Sequence, residues 1–401
     1  MDFTLIVTPS PHDPRPAIRV AGLSLVDRLA HTARRCGLGP VLILHPHPDQ
    51  AEPINPETRL VGPGDRPLLS GSKLSIILQN GHLPDRLFLE TLLETLKGDF
   101  PCLIKRYPAI LVMRSDDINK WLPHLLDDHG FEQLAENLKS RPETRWLVVD
   151  RGRLYDLTDP RQIGSVEDEL FRDLVKDTEG FMSRHFERKI SLALSKRLVE
   201  TAITPNQMTI ISVLIGILGA WLIGLGGRWW SFTGALLFLT HSILDGCDGE
   251  IARIKFMESH WGGLLDFWGD NVVHVAVFMA IAWAWSASSL SRLPLVLGAL
   301  ATCAALASAW LIYVGTMKSK KEEGPLYTSV SRAAEKDQLN RLADFLSRRD
   351  FIYLVVILAY FNQLPWFLIL SAVGTPIFFL IIRRLQLKER VATTLTARLS
   401  G

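Results

Sequence analysis

This sequence has few cysteines and almost no net charge. Its 401 residues include only Cys36, Cys102, Cys247 and Cys303, which are too far apart for a zinc site, so we expect reduced thiols. Lysine plus arginine number 44 against 42 acidic residues, and a net charge of +2 gives no indication of a nucleic-acid-binding protein. The opening residues, MDFTLIVTPSPHD, combine an early acid with a short apolar stretch. They do not resemble a signal peptide, so we expect the N-terminal half to stay in the cytoplasm.

Charge and proline are concentrated in the first 200 residues, where short apolar runs alternate with amphipathic segments. FTLIV, PVLIL and KLSIIL predict buried strands, and SLVDRLAHTARRCG and DRLFLETLLETLKG predict helices. This alternation predicts an N-terminal α/β domain of Rossmann-like type, with a largely parallel sheet, over residues 1–164. Further on, RWLVVDRGRLYDL predicts a hairpin with a glycine-containing turn.

From Asn206 onward, the apolar segments reach the length that crosses a membrane, about 20 residues. The last two segments are short, and only NQLPW separates them, although a helix beginning near Leu339 would lengthen the first of the two. The sequence therefore predicts a six-span α-helical membrane bundle over 206–401, with both ends on one side. The predicted spans are 207–226, 230–249, 262–285, 294–316, 351–364 and 367–383.

Basic residues favour one orientation of this bundle. Loops predicted to face outward hold only Arg228 and Arg292, whereas one inward segment holds eight basic residues between Lys318 and Arg349. This positive-inside pattern places the N-terminal domain in the cytoplasm. Residues 165–205 are predicted to be helical and become basic towards their end, which is typical of an interfacial helix on anionic headgroups.

The stretch LDGCDGEIARIKFMESHWGGLLDFWGD places four aspartates at the predicted inner mouths of the second and third spans. Asp245 and Asp248 are three apart and Asp266 and Asp270 four apart, so each pair shares a helix face. Four carboxylates in a partly apolar pocket need a compensating charge, and oxygen ligands select Mg²⁺, Mn²⁺ or Ca²⁺. We therefore predict a metal site, in which two ions about 3.5–4 Å apart would suit displacement at phosphorus. The alternative is that these aspartates cap helix ends and face water.

The spacing of these residues resembles that of the CDP-alcohol phosphotransferase family, D-x2-D-G-x2-A-R-x8-G-x3-D-x3-D. Every spacer matches at Asp245, Asp248, Gly249, Ala252, Arg253, Gly262, Asp266 and Asp270. The resemblance implies a six-helix membrane fold, commonly dimeric, that transfers a substituted phosphoryl group from a CDP-alcohol to an acceptor hydroxyl and releases CMP. It implies that Asp245, Asp248 and Asp266 are the main metal ligands. Asp270 would be the base that deprotonates the acceptor, with a further contact to metal.

The same resemblance implies a donor site. Four motif residues would line the CDP site: Gly249, Ala252, Arg253 and Gly262. TPNQMT is similar to the opening of the family's first span, so Asn206 would reach the nucleotide, unless it serves only the helix start around Pro205. An anionic acceptor needs fixed positive charge, and the candidates at the predicted cytoplasmic boundary are Arg188, Lys255, Arg348 and Arg349. Each of these has an alternative role as a positive-inside residue.

The first 165 or so residues resemble sugar-nucleotide-type nucleotidyltransferases in the segments around ILQNGHLPDRLF and LYDLTDPRQI. Together with the membrane segment, they resemble the bifunctional inositol-phosphate cytidylyltransferase/phosphotransferase proteins. TPSPHDPR replaces the glycine-rich loop that should cradle a triphosphate, and His82 stands where that family has a metal-binding aspartate. We therefore expect the domain to be catalytically inactive, with a structural or regulatory role or weak nucleotide binding left open.

The sequence as a whole predicts a homodimeric enzyme of the cytoplasmic membrane that uses a CDP-alcohol donor, an alcohol acceptor and Mg²⁺ or a similar ion, two per site. Phospholipid or polyol-phosphodiester biosynthesis is the implied setting. A metal-dependent transporter is a second hypothesis, because paired aspartates can mark an ion path, but these acids lie at one membrane face. A membrane scaffold with a nucleotide-binding head is the third, and the intact aspartate pattern argues against it.

Overall fold

The structure is a computed structural model. It has two compact units, Met1–Leu170 and Phe171–Gly401. Each unit has its own hydrophobic core. The residues described are 3–8, 18–39, 41–45, 58–62, 74–96, 101–127, 129–174, 186–317 and 351–399.

The first unit is built on a mixed β-sheet. Its strands are β1 (Phe3–Val7), β2 (Arg19–Val20), β3 (Leu23–Ser24), β4 (Val41–Leu44), β5 (Thr58–Val61), β6 (Leu74–Leu78), β7 (His82–Pro84), β8 (Cys102–Ile104), β9 (Ile110–Arg114), β10 (Arg145–Leu147) and β11 (Leu154–Asp156). Seven of them form one sheet in the order β10-β8-β9-β6-β1-β4-β5. Only β9 runs antiparallel to its neighbours, β6 and β8, while the other four pairings are parallel. The α/β domain with a largely parallel sheet is therefore confirmed.

Helices cover both faces of this sheet. They are α1 (Leu25–Arg35), α2 (Arg86–Thr95), α3 (Ser115–Leu125), α4 (Gly130–Ser140) and α5 (Ile163–Arg172). Successive side chains of a strand point to opposite faces, so Leu5 joins the core that holds Leu29 of α1, while Ile6 joins the core that holds Leu134 of α4. The buried β-branched and leucine-rich runs identified in the sequence thus form the centre of a three-layer unit.

The predicted hairpin over RWLVVDRGRLYDL is wrong. β10 pairs in parallel with β8, whereas β11 pairs antiparallel with β7. Gly152 does provide a turn, with φ of 80°. Beyond that turn, the Asp85 side chain accepts a hydrogen bond from the Arg153 amide at 2.9 Å, and this contact directs the chain towards β7. The partners of these two strands are distant in sequence, which is why the local pattern did not reveal them.

The second unit is helical. Its helices are α6 (Arg188–Leu198), α7 (Pro205–Gly224), α8 (Arg228–Ile254), α9 (His260–Ser289), α10 (Leu293–Ile312), α11 (Phe351–Tyr360) and α12 (Leu364–Leu399). A π-helical turn, Tyr313–Met317, continues α10. A short connection joins α6 to α7. A capping box begins α7: the Thr204 side chain accepts a hydrogen bond from the Gln207 amide, and the Gln207 side chain accepts one from the Thr204 amide.

Within the described part of the chain, four helices are long and apolar enough to cross a membrane. They are Pro205–Gly224, His260–Ser289, Leu293–Gly315 and Leu364–Leu387. The predicted count of six is not reached among the described residues and stays a prediction. The predicted second span, α8, carries Asp245, Asp248 and other charged side chains that lower its hydropathy. The predicted fifth span, α11, is described from Phe351 to Tyr360, and the residues before Phe351 lie outside the described part of the chain.

Glycines allow α7 to approach both α8 and α9 closely. A Cβ on Gly219 would lie 2.7 Å from the carbonyl oxygen of Gly234 on α8. A Cβ on Gly216 would lie 2.6 Å from the Val273 side chain on α9 and 3.0 Å from the His241 ring on α8. No side chain fits in these gaps. α7 therefore serves as the common support against which the two aspartate-bearing helices are placed.

Candidate active site

The four aspartates lie on the two helices that α7 supports. Asp245 and Asp248 on α8 are 3% and 5% exposed, and Asp266 and Asp270 on α9 are partly buried. The loop between the helices is short, since α8 ends at Ile254 and the Ser259 hydroxyl caps α9 by accepting from the Gly262 amide at 2.9 Å. The aspartates do not cap helix ends facing water, which was the alternative interpretation of their spacing.

Three of the carboxylates converge. One oxygen from each of Asp245, Asp248 and Asp266 lies within 4.8 Å of the other two. An oxygen-only set of this size fits a hard divalent cation, which would neutralise negative charge that is otherwise concentrated in a buried place. Among the described residues, Asp270 does not belong to this group of three. The residues present therefore fit the predicted metal at Asp245, Asp248 and Asp266, and a contact of Asp270 with metal stays a prediction.

Thr209 of α7 holds one of these carboxylates, and the sequence interpretation missed it. Its hydroxyl donates a hydrogen bond to Asp248 Oδ2, and the residue is 2% exposed. Thr209 lies at the end of TPNQMT, the segment noted for Asn206, so the segment was identified but this residue was not. Hydrogen bonds of this kind orient a metal ligand and fix which lone pair faces the ion.

Thr209→Val should weaken metal binding, because the substitution preserves the volume of the side chain and removes the hydroxyl that orients Asp248. We expect the affinity for Mn²⁺, measured by titration calorimetry on the protein in nanodiscs, to fall by about 10–100-fold. Thr209→Ser, which retains the hydroxyl, is the matched control and should bind Mn²⁺ like the unaltered chain. Equal affinities for the valine and serine variants would show that the hydrogen bond does not position the ligand.

Asp270 contacts a histidine that sequence reasoning did not single out. His241 Nε2 lies 3.3 Å from Asp270 Oδ1, and His241 Nδ1 lies 2.9 Å from the carbonyl oxygen of Ser212 on α7. His241 is four residues before Asp245, and that spacing places the two on one face of α8. This was the available signal, but a single histidine in an apolar run does not stand out.

Two of the predicted CDP-binding residues, Asn206 and Gly262, lie next to each other. A Cβ on Gly262 would lie 2.9 Å from Asn206 Oδ1, so the start of α7 adjoins the first turn of α9. Helix-start chemistry was the alternative role for Asn206, and here Thr204 and Gln207 perform it. Asn206 is thus not needed as the cap, and its role towards the nucleotide stays a prediction.

The other predicted donor-site residues lie on the last turns of α8. Gly249 and Arg253 are adjacent, since a Cβ on Gly249 would lie 3.4 Å from Arg253 Nη1. Ala252 and Arg253 are partly buried. Absence of a side chain at Gly249 leaves room for the Arg253 guanidinium to lie beside the backbone next to Asp248.

The predicted acceptor residues have other partners where the structure describes them. Arg188 Nη1 lies 2.6 Å from Oε1 of the fully buried Glu250, which also accepts from the Ser191 hydroxyl at 2.7 Å. Lys255 Nζ donates to the Thr201 carbonyl at 2.7 Å. Arg188 and Lys255 therefore both link the α6 region to α8, and their acceptor role stays a prediction. Arg348 and Arg349 lie outside the described residues.

In the first unit, His82 lies beside the later acidic turn. His82 Nε2 is 3.9 Å from Asp156 Oδ1, because β7 and β11 pair at these two residues. The Thr158 hydroxyl donates to the same carboxylate oxygen at 2.5 Å, and this hydrogen bond is the main cause that lowers the pKa of Asp156. A single carboxylate already held by a threonine is a poor metal site. Of the TPSPHDPR segment, only Thr8 is described.

Comparison with known proteins agrees with the family resemblance found in the sequence. Residues 202–335 match the family model described as CDP-alcohol phosphatidyltransferase, which confirms the resemblance found in the aspartate spacing. The matched segment contains α7, α8 and α9, and with them all four aspartates. The part of the chain that is similar to CDP-alcohol phosphatidyltransferases is therefore the part that carries the aspartates.

The chain is also similar to individual proteins over parts of its length. The bifunctional IPC transferase and DIPP synthase of Thermococcus kodakarensis is 34% identical over 175 residues, which are 40% of this chain and 39% of that protein. The protein of the same name from Rubrobacter xylanophilus is 25% identical over 316 residues, 65% of this chain and 71% of that one. A crystal structure of Mycobacterium tuberculosis phosphatidylinositol phosphate synthase with CDP-DAG bound aligns with 48% of this chain and 90% of that chain, at 18% identity and a TM-score of 0.34.

Proposed function

We propose that the protein is an integral-membrane transferase that moves a substituted phosphoryl group from a CDP-alcohol to an acceptor alcohol and releases CMP. The observation that carries the proposal is the convergence of Asp245, Asp248 and Asp266 within a segment that matches the family model. The chain spans 39% of the length of the Thermococcus relative, so its activity rests on the site rather than on that relative's name.

The site's residues suit displacement at phosphorus. Asp245, Asp248 and Asp266 would hold the divalent metal, which supplies charge neutralisation for the pyrophosphate when bound. Asp270 takes the proton of the acceptor hydroxyl, which is otherwise a poor nucleophile at neutral pH. The acceptor oxygen bonds to the phosphorus that bears the donor alcohol. The bond from that phosphorus to the bridging oxygen breaks, and CMP departs with the bridging oxygen.

Donor binding is assigned to the residues that neighbour the carboxylates along α8 and α9 and at the start of α7. Asn206 lies beside Gly262, one helical turn before Asp266, and Arg253 lies beside Gly249, which directly follows Asp248. The guanidinium of Arg253 can pair with phosphate oxygens through two parallel hydrogen bonds. We infer six spans, an active site and first unit facing the cytoplasm, and a homodimer, and these inferences rest on the basic-residue distribution and the family resemblance.

The test is CMP release by the purified protein in nanodiscs. CDP-inositol and CDP-diacylglycerol are offered with a panel of inositol phosphate, glycerol phosphate and lipid acceptors, with and without Mg²⁺. Metal-dependent CMP release that disappears when the metal is chelated supports the transferase and identifies donor and acceptor together. CDP-alcohol binding without release would point to a substrate outside the panel. Neither binding nor release would favour a transporter or a scaffold.

We further infer that the first unit does not transfer nucleotides. Full-length protein carrying Asp270→Asn, so that no CDP-alcohol is consumed, should release no pyrophosphate above background from CTP and inositol phosphate. The physical reason is that His82 cannot replace a carboxylate as a Mg²⁺ ligand, while Asp156 is engaged by Thr158. Metal-dependent pyrophosphate release accompanied by CDP-inositol would show that the domain is active.

A further inference from the structure

The ring of His241 is held by two different helices at its two nitrogen atoms. It is 1% exposed, with Nδ1 at 2.9 Å from the Ser212 carbonyl oxygen of α7 and Nε2 at 3.3 Å from Asp270 Oδ1 of α9. A carbonyl oxygen can only accept a hydrogen bond, so Nδ1 is the donor in the first contact. The carboxylate oxygen of Asp270 also only accepts, so Nε2 donates to it when the ring carries a proton on both nitrogens.

We propose that His241 is a positioning residue that holds the carboxylate of Asp270 in the orientation needed to take a proton from the acceptor. The kinetic part of this inference rests on the proposed function, whereas the contact itself does not. His241 does not belong to the matched aspartate motif. It acts through Asp270 and has no direct contact with the donor in this assignment.

The surroundings of the ring leave it little freedom to move. Gly216 of α7 lies against it, where a Cβ would approach the ring to 3.0 Å. Phe238, one turn earlier on α8, stacks on it with ring centroids 6.2 Å apart and planes inclined by 16°. Ser212 is fully buried, and its hydroxyl donates to the Thr209 carbonyl at 2.8 Å, so the accepting backbone is itself well anchored.

A fixed ring limits the orientation of the carboxylate that it contacts. The terminal torsion of an aspartate is broad and roughly two-fold, so an unsupported carboxylate rotates among many orientations. Holding Oδ1 leaves Oδ2 as the oxygen that faces the acceptor. Misplacement of a reacting group by about 1 Å can lower the rate by roughly 10²-fold. The chain Ser212, His241, Asp270 therefore connects the α7 backbone to the proton-accepting group.

Two substitutions test the Nδ1 contact and the Nε2 contact of His241 separately. In His241→Asn the side-chain amide can replace Nδ1 and donate to Ser212, but it is too short to reach Asp270. In His241→Gln the amide can extend to the position of Nε2 and contact Asp270. We expect kcat for CMP release to fall by about 30–100-fold in the asparagine variant and to recover to within about five-fold of the unaltered protein in the glutamine variant. KM for the CDP-alcohol and the affinity for Mn²⁺ should stay unchanged in both.

A second measurement tests the contact without turnover. In protein labelled with ¹⁵N-histidine, the Nε2 resonance that is absent from His241→Gln belongs to His241. That resonance should shift when Asp270→Asn is introduced and should not shift with Arg228→Gln, a charge removal at the far end of α8. Equal kcat losses in the asparagine and glutamine variants, or no shift with Asp270→Asn, would overturn the inference. If the His241 Nε2 resonance shifts with Asp270→Asn as expected but the protein never releases CMP, the result would instead count against the proposed function.

Discussion

Replacing Asp266 by asparagine is expected to lower metal-dependent CMP release by roughly 10³-fold, because charge stabilisation by a bound cation supplies several kcal/mol. Asp266 is the member of the carboxylate group that α9 contributes, while Asp245 and Asp248 both come from α8. Without it, the remaining ligands lie on one helix and no longer enclose an ion. The measurements are CMP release at saturating donor and Mn²⁺ binding by calorimetry.

The dependence on metal concentration identifies the cause of this loss. If Asp266 is a ligand, raising Mg²⁺ or Mn²⁺ should restore part of the activity, because the variant binds the ion weakly and still has its proton acceptor. Asp127→Asn, which removes an exposed carboxylate from the first unit, is the control and should retain full activity. Activity within ten-fold of the unaltered protein and undiminished Mn²⁺ affinity would contradict a metal site at these three residues.

The metal group could be predicted from the sequence because its information is local. Within a helix, spacings of three and four residues place Asp245 with Asp248, and Asp266 with Asp270, on shared faces whatever the tertiary structure. The sequence did not reveal that one oxygen from each of Asp245, Asp248 and Asp266 lies within 4.8 Å of the other two. That depends on how α8 and α9 are rotated against α7, and Gly216 and its neighbours determine this packing.

Long-range contacts account for what could not be predicted. β11 pairs with β7, some seventy residues earlier, so the hairpin inferred from adjacent segments was wrong. His241 contacts Ser212 on α7 and Asp270 on α9, and no sequence pattern within α8 indicates either contact. Similarly, hydropathy alone cannot count α8 as a span, because the carboxylates that give the helix its function reduce its apolar character.

α7 emerges as the element that links these observations. It carries none of the aspartates, yet its Thr209 hydroxyl contacts Asp248 and its Ser212 carbonyl holds the histidine that contacts Asp270. The same helix begins at the segment that brings Asn206 to Gly262. A rigid support of this kind explains how buried carboxylates are kept at fixed positions despite their mutual repulsion.

Asp270→Asn should abolish the chemistry and leave the metal in place. Asp270 is outside the group of three carboxylates and contacts His241 instead, so its removal should change Mn²⁺ affinity little. Loss of a general base typically lowers a rate by about 10²–10⁴-fold, and we expect kcat for CMP release to fall within that range. Asparagine has the same shape and retains an oxygen for the His241 contact, so the change is confined to proton acceptance.

Metal concentration and pH then distinguish a base from a ligand. Excess Mg²⁺ should not restore Asp270→Asn, in contrast to Asp266→Asn, because the missing function is proton removal. The residual rate should rise with pH, since a larger fraction of the acceptor hydroxyl is ionised without assistance. Recovery of the variant in excess metal, together with weakened Mn²⁺ binding, would make Asp270 a fourth ligand, and the proton would then have to leave the acceptor by way of another group.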